Sequence, residues 1–272
     1  MDILILCNQN DAIANGVYQQ LIHHQENVCR VTAEELIYAS SWNHSLTEKG
    51  KSNTEIILQN GTIIRSGELK AVWSRIRFFQ MLHFINEADR HYAQTEMFAL
   101  YVSFLKSIND HLIDPVHTYD FAMEEENILY LKQQAVHAGL PVLDYHFTSS
   151  PKWQSSKDLI PVTLSKKSIS SFHKKAPHLI WQNQPALFTE ATSDIVKIWM
   201  AGNTIVEEKT VAPKSALKKL SKNLKKILLE VHFAKTSEGY KLSAINTFPV
   251  YAPQPVVDAL TTLVQQKKNQ SV

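Results

Sequence analysis

Glycine is scarce in this chain. The 272 residues include 7 glycines and 10 prolines, where the usual glycine share of roughly 7% would give about 19. Backbone that closes around a phosphate usually relies on glycine, so the shortage weighs against phosphate-cradling loops. Neither G-x-G-x-x-G nor G-x-S-x-G occurs, which removes the usual dinucleotide and serine-hydrolase signatures. Cysteine is rarer still. Cys7 and Cys29 are the only two, too few for a Cys₄ metal site or a disulfide framework. Both lie in apolar, strand-like runs and read as reduced core thiols, as expected of a cytoplasmic protein. An excess of one charge is also absent. Lys and Arg total 28 against 26 Asp and Glu, a net +2 with His neutral. Nothing in that balance calls for nucleic acid or an anionic membrane. The longest apolar run, Met97–Leu105, is broken by Ser103 and falls far short of the ~20 residues of a membrane helix. The amino-terminal MDILILC lacks the basic flank of a secretory signal.

What is present reads as an α/β protein. Hydrophobic residues make up 44% and charged residues 20%, enough to bury a sizeable core. Asp2–Cys7 is a short apolar run consistent with a buried strand. A helix is expected over Asp11–Gln25, with Ile13, Val17 and Leu21 on one face. Val28–Val31 reads as a second strand. Thr32 with Glu35 three residues later forms a capping-box signature for a helix through Ala39. The polar residues 40–54 read as a loop. Asn60-Gly61, inside Glu55–Arg65, predicts a hairpin, because a type I′ turn needs positive φ at both central residues. Lys70–Ile76 reads as a buried strand. A long helix is expected over Asp89–Ile108, with Phe98, Tyr101, Val102 and Leu105 inward. Another spans about Ala122–Ala138 and ends at Gly139 and Pro141.

Past Ser150 the texture changes to Ser, Lys and Pro, and only Leu159–Leu164 reads as a strand. Two hairpins are expected, Ile195–Glu207 about Gly202-Asn203 and Leu229–Ile245 about Ser237–Gly239. Helices are expected at Ser215–Leu228 and Pro255–Gln266. The change of texture places a domain boundary near Ser150, giving parts 1–150 and 151–272.

Few residues stand out chemically. The 12 histidines include no H-E-x-x-H; His23 and His24 are adjacent and point apart on a helix, so the bland reading is surface or satisfied core. Six lysines between Lys214 and Lys226, with no acid among them, fit either an anionic partner or a solvated face opposite the leucine stripe. The second reading is favoured. Arg75 and Arg77 alternate along WSRIR and would share a face. Two neighbouring guanidinium groups repel unless something anionic lies between them, either a substrate carboxylate or phosphate or nearby glutamates. Both readings stay open.

From Ala71 onward the order of segments resembles the ATP-grasp ligases that modify peptides, including the graspetide (microviridin-type) ligases and the related glutamate-adding ligases. The stretches that carry the likeness are Ala71–Arg77 (AVWSRIR), Leu112–Pro115 (LIDP), His137–Val142 (HAGLPV), Leu187–Gly202 (LFTEATSDIVKIWMAG) and His232–Pro249 (HFAKTSEGYKLSAINTFP). They cover about two-thirds of the chain, in order. The resemblance implies a Rossmann-like amino-terminal layer followed by a shortened ATP-grasp-like α+β unit. It also implies ATP with Mg²⁺ as cofactors, a carboxylate–amine ligase reaction through an acyl phosphate, and a peptide or protein partner. On matching positions it places Glu190, Asp194 and Lys197 at the nucleotide; Lys166, Lys167, Lys174 and Lys175 are the candidates for the phosphate lysine, with no position among them singled out. Asn246 falls at the metal, and Arg75 and Arg77 at the substrate. No nucleic acid and no membrane are expected, and the oligomeric state stays open, a homodimer included.

The same positions depart from the family pattern. Ala244 stands where the family has the Glu of Glu-x-Asn, and His232 falls near its earlier Asp, with no carboxylate between Val231 and Ser237. Lys197 replaces an arginine and loses bidentate geometry, and Thr189 replaces a Gln. Glu124-Glu125-Glu126 stands where a lysine is common. No glycine occurs from Leu140 to Ala201, where the family has a glycine-rich lid. The expectation is therefore a degenerate member acting as a binding or accessory protein. One alternative is an active ligase whose metal ligands include His232, Asn246 and a nearby acid. Another is an interaction domain with no nucleotide role.

Overall fold

The computed structural model describes residues 1–46, 48, 52–77, 79–80, 84–114, 128–148, 159–162, 186–190 and 194–270. They form two compact units. The first is Met1–Met123 with Val250–Val272, and the second is Glu124–Pro249. The change of sequence texture near residue 150 falls within the second.

The first unit grows from β1 (Ile3–Cys7), whose five residues are all buried. It pairs in parallel with β2 (Val28–Thr32) on one side and β6 (Ala71–Ser74) on the other, giving the order β2-β1-β6. A strand buried on both faces needs the continuous apolar run ILILC. Helix α1 (Ala12–His23) connects β1 to β2. Asp11 caps it, its Oδ1 accepting the Ala14 N–H at 2.9 Å, and Ile13, Val17 and Leu21 face inward as their spacing predicts. The Thr32–Glu35 capping box is fully formed at the start of α2 (Ala33–Ile37).

Residues 40–54 do not form a plain loop. They contain β3 (Ser41–Leu46) and the start of β4 (Ser52–Ile57), which pair antiparallel. With β5 (Ile63–Arg65) they make a three-stranded sheet. The hairpin at Asn60-Gly61 is present, with Gly61 at φ +83° and its N–H donating to the Leu58 carbonyl. Helix α3 (Glu87–Ser107) inserts Tyr101, Phe104 and Leu105. Phe104 takes the inward place expected of Val102, while Phe98 packs at the margin. Phe79 lies edge-on to both Phe98 and Tyr101.

The second unit contains α4 (Ile128–Ala138); residues 122–127 of the expected helix lie outside the described residues. Gly139 at φ +88° ends it. Strands β7 (Tyr145–Thr148), β8 (Leu159–Val162) and β9 (Ala186–Glu190) form an antiparallel sheet in the order β7-β9-β8. Strands β10 (Ile195–Ala201), β11 (Thr204–Glu207), β12 (Leu228–Thr236) and β13 (Gly239–Asn246) form another, in the order β11-β10-β12-β13. Its two hairpins turn at Gly202 (φ +57°) and Gly239 (φ +115°), as the sequence predicts. Helix α5 (Lys214–Leu224) buries Ala216, Leu217, Leu220 and Leu224 and leaves Lys218, Lys219 and Lys222 exposed, the solvated face expected of that run. It stops at Leu224, short of the expected Leu228. Lys225 turns left-handed (φ +53°) and Leu228 opens β12.

The closing helix, α6 (Gln254–Gln270), belongs to the first unit. It packs on α1 through Gln20, which donates to Asp258 at 2.6 Å and accepts from Thr261 at 2.6 Å. Gly16 allows the approach, since a Cβ there would lie 3.1 Å from Val257 Cγ1. Among the described residues no helix is long and apolar enough to cross a membrane.

Candidate functional site

The β10–β13 sheet has two unlike faces. Ile198, Met200, Leu229, Val231, Phe233, Leu242 and Ile245 enter one apolar core with Leu131 and Ala135 of α4 and Leu217 and Leu220 of α5. Alternation then assigns Lys197, Glu230 and His232 to the other face. Strand β13 joins them through a bulge. His232 pairs with Ala244 and Phe233 with Leu242, so Ser243 is one residue extra. The bulge lets Leu242 and Ile245 both reach the core while Asn246 pairs with Glu230 on the opposite face. Ser243 uses its freed groups locally. Its Oγ donates to the His232 carbonyl at 3.1 Å, and its carbonyl accepts from Lys132 Nζ at 3.0 Å. Burial pushes the Lys132 ammonium down to about 6.

The result is a quartet centred on one carboxylate. Glu230 Oε1 accepts from Lys197 Nζ at 3.0 Å and from His232 Nε2 at 2.9 Å. Glu230 Oε2 accepts from Asn246 Nδ2 at 3.1 Å. Asn246 Oδ1 in turn accepts the Phe248 N–H at 2.9 Å. Burial pushes the Glu230 carboxyl up, but the His232 and Lys197 hydrogen bonds outweigh it and bring it down to about 2. The glutamate is therefore ionised throughout the neutral range. Beside it in register is Trp199, whose buried Nε1 has no hydrogen-bond partner among the described residues.

Sequence reasoning singled out Lys197, Asn246 and His232, and the structure brings all three together. It missed Glu230. Glu230 lies one residue before the carboxylate-free stretch Val231–Ser237, inside LLEVHFA, which reads as an apolar run. The detectable signal was alternation: 230 and 232 share a face. Asp194 sits apart from the quartet, exposed before β10, its carbonyl accepting from the Lys235 N–H. Glu190 ends β9 in register with Leu159. Lys166, Lys167, Lys174 and Lys175 lie outside the described residues, as does most of the stretch where a lid is expected.

The two arginines of WSRIR differ in burial. Arg75 is buried, with Nε donating to Asp11 Oδ2 at 2.6 Å, and its guanidinium lies 5.3 Å from the Trp73 ring centre. Arg77 is half-buried with interactions of its own. Both cysteines are free, and burial pushes the Cys7 thiol up to about 11, as expected of a core thiol.

No protein-family model and no curated protein matches the chain. Solved structures do. The macrocyclase MdnB from Microcystis aeruginosa MRC superposes with a TM-score of 0.73 at 14% identity, over 96% of this chain and 97% of that one. A RiPP-associated ATP-grasp ligase from Chryseobacterium gregarium, in complex with ADP and a leader and core peptide, gives 0.74 at 12% identity, over 98% and 97%. The ATP-grasp ligase PsnB, complexed with minimal precursor, Mg and ADP, gives 0.70 at 16% identity, over 97% and 98%. The chain has an ATP-grasp fold. The Rossmann-like layer expected at the amino terminus is the β2-β1-β6 sheet, and the α/β class is as read from the sequence.

An ATP-grasp fold raises the question of magnesium. The ion takes oxygen ligands in near-octahedral geometry and keeps several waters. The quartet offers one carboxylate, and both its oxygens already accept hydrogen bonds. The amide oxygen of Asn246 is also taken, His232 supplies nitrogen, and the Lys197 ammonium would repel a cation. Among the described residues no group of three or more His, Cys, Asp or Glu is arranged to hold a metal. The quartet as arranged does not fit magnesium.

Proposed function

We propose that this chain is a degenerate ATP-grasp protein that serves as a binding or accessory component of a peptide-modification system. One observation carries the reading. Both oxygens of the Glu230 carboxylate accept hydrogen bonds, one from Lys197 and His232 and the other from Asn246. A catalytic ATP-grasp site needs a cation to neutralise charge on the phosphates. Here a lysine ammonium lies on the carboxylate that a cation would use, and Ala244 adds no second one. The peptide side of the reading rests on the superposed structures, two of which hold precursor or leader and core peptides. The partner is then a peptide, and the free thiols suit a reducing cytoplasm.

Calorimetric titration with ATP, with and without Mg²⁺, tests the reading, together with phosphate release over a panel of peptides. The expected outcome is no magnesium-dependent gain in affinity and no phosphate release. Micromolar, magnesium-dependent binding with turnover overturns it.

A second reading, an active ATP-dependent carboxylate–amine ligase with unusual metal ligands, draws support from one neighbour. PsnB holds Mg and ADP and superposes over 97% of this chain. On that reading His232 and Asn246 contribute ligands only after Glu230 is released from Lys197. Asn246→Ala then abolishes phosphate release. An unaltered rate in that variant removes this reading.

A further inference from the structure

The first unit carries a cavity of about 350 Å³ beside the carboxyl ends of β1 and β2, a size that suits a small molecule. Open α/β sheets place ligands at that edge. Its walls are charged, and the charges are not paired with one another. Arg30, midway along β2 and half-buried, uses Nη1 to donate to Asn15 Oδ1 at 2.5 Å. No carboxylate among the described residues forms an ion pair with it. Arginine offers five N–H donors in a planar fork, so most of that fork has no partner among the described residues. Facing the same cavity are two acids of α2. Glu34 is exposed, and its side chain makes no hydrogen bond or ion pair among the described residues. Glu35 spends Oε2 on the Thr32 N–H and hydroxyl and leaves Oε1 over. Tyr38, Gln59 and Asn60 complete a polar rim.

A simple anion attracted to Arg30 would meet two glutamates, and a simple cation attracted to the glutamates would meet Arg30. A molecule carrying both charges satisfies each wall. We propose that this cavity binds a small zwitterion, a free amino acid or dipeptide. Its carboxylate lies on the Arg30 fork, its ammonium on Glu34 and Glu35, and its amide groups on Gln59 and Asn60. The inference stands on the first unit alone and is independent of the nucleotide reading.

The test is a titration of the ¹⁵N-labelled full chain with glycylglycine, N-acetyl-glycylglycine, glycylglycinamide and a terminally blocked Lys-Asp dipeptide. Glycylglycine is expected to shift the amides of 32–38 and 58–60 at millimolar concentration. Each of the other three, lacking a terminal charge, is expected to bind at least ~10-fold more weakly, the loss of one charged hydrogen bond. Arg30→Gln and Glu34→Gln are each expected to weaken glycylglycine by a similar factor. Glu34 is exposed, so its variant keeps the test alive if Arg30→Gln fails to fold. Unmoved amides overturn the proposal. So does equal binding of the singly charged dipeptides or the blocked Lys-Asp peptide, or affinity that survives Glu34→Gln.

Discussion

Each unit holds a buried carboxylate against a cation, and the two arrangements differ in what they leave open. In the first unit, Asp11 and Arg75 are both buried, with side chains 5% and 4% exposed. One Asp11 oxygen caps α1 and the other takes the arginine. The pair ties the start of α1 to the residue following β6, and both side chains are almost wholly buried. In the second unit, Glu230 is 10% exposed but its lysine partner is 43% exposed. Its donors come from three strands and are all side chains. A carboxylate held by a helix end and a buried guanidinium is a fixed part of the fold. One held by a solvent-facing lysine, a histidine and an amide can change partners with little backbone movement. The first arrangement reads as structure and the second as a site.

The largest expected effect breaks the closed pair. Arg75→Met leaves Asp11 buried with an uncompensated charge, which typically costs about 3–5 kcal/mol. Adding Asp11→Asn keeps a capping side chain and removes the charge, so the double variant should recover a substantial part of that loss. Urea denaturation of the full chain measures both. A single variant that loses less than about 1 kcal/mol would mean the pair behaves like a surface ion pair, and the contrast between the units would collapse.

That contrast was only partly legible in the sequence. Strand β1, the Asp11 and Thr32 caps and the hairpins at Gly61, Gly202 and Gly239 follow from short-range rules: apolar runs, capping residues, and glycine where φ is positive. Strand β3 does not. SWNHSL has no clean alternation, and most of its side chains are exposed or half-buried, so its hydrogen bonds to β4 are tertiary information. The alternation in WSRIR left two readings open, a shared anionic ligand or nearby acids. Its strand ends at Ser74, and one partner of Arg75 lies 64 residues away in sequence, at Asp11. Of the quartet, Lys197 and His232 were visible as departures from a family pattern and Asn246 as a position that keeps it. Glu230 was not, because its place beside Asn246 depends on the register of β12 with β13 and on the bulge at Ser243. Register is set by pairing, and the local sequence of either strand does not contain it.

A smaller effect is expected from Glu230→Gln, with a pH signature of its own. The folded carboxyl lies near 2, below the unfolded value of roughly 4.3. Its contribution to stability is therefore fully present above about pH 4.3 and lost as the pH falls toward 2. Wild type should exceed the variant by on the order of 1–3 kcal/mol at pH 7, and the difference should shrink between about pH 4.3 and 2. A difference that holds constant down to pH 2 would show that packing, and not the charge, is what Glu230 supplies.

The smallest stability effect sharpens the comparison most. Lys197 is nearly half exposed, so its ion pair with Glu230 should contribute no more than about 1 kcal/mol, and Lys197→Met should leave denaturation almost unchanged. Its effect on cation binding should be larger. The substitution removes the ammonium that shields Glu230 and leaves His232 and Asn246 in place. A divalent ion that the wild-type quartet excludes would then meet a carboxylate with a vacant oxygen direction. Mn²⁺ is a convenient probe, since its bound form is read directly by electron paramagnetic resonance or by water relaxation. Binding should be absent in wild type and measurable in Lys197→Met, and Glu230→Gln added to Lys197→Met should abolish it. Equal Mn²⁺ binding in wild type and Lys197→Met would mean that the lysine does not close the site. The second unit would then hold its metal elsewhere, and the ligase reading would gain over the accessory one.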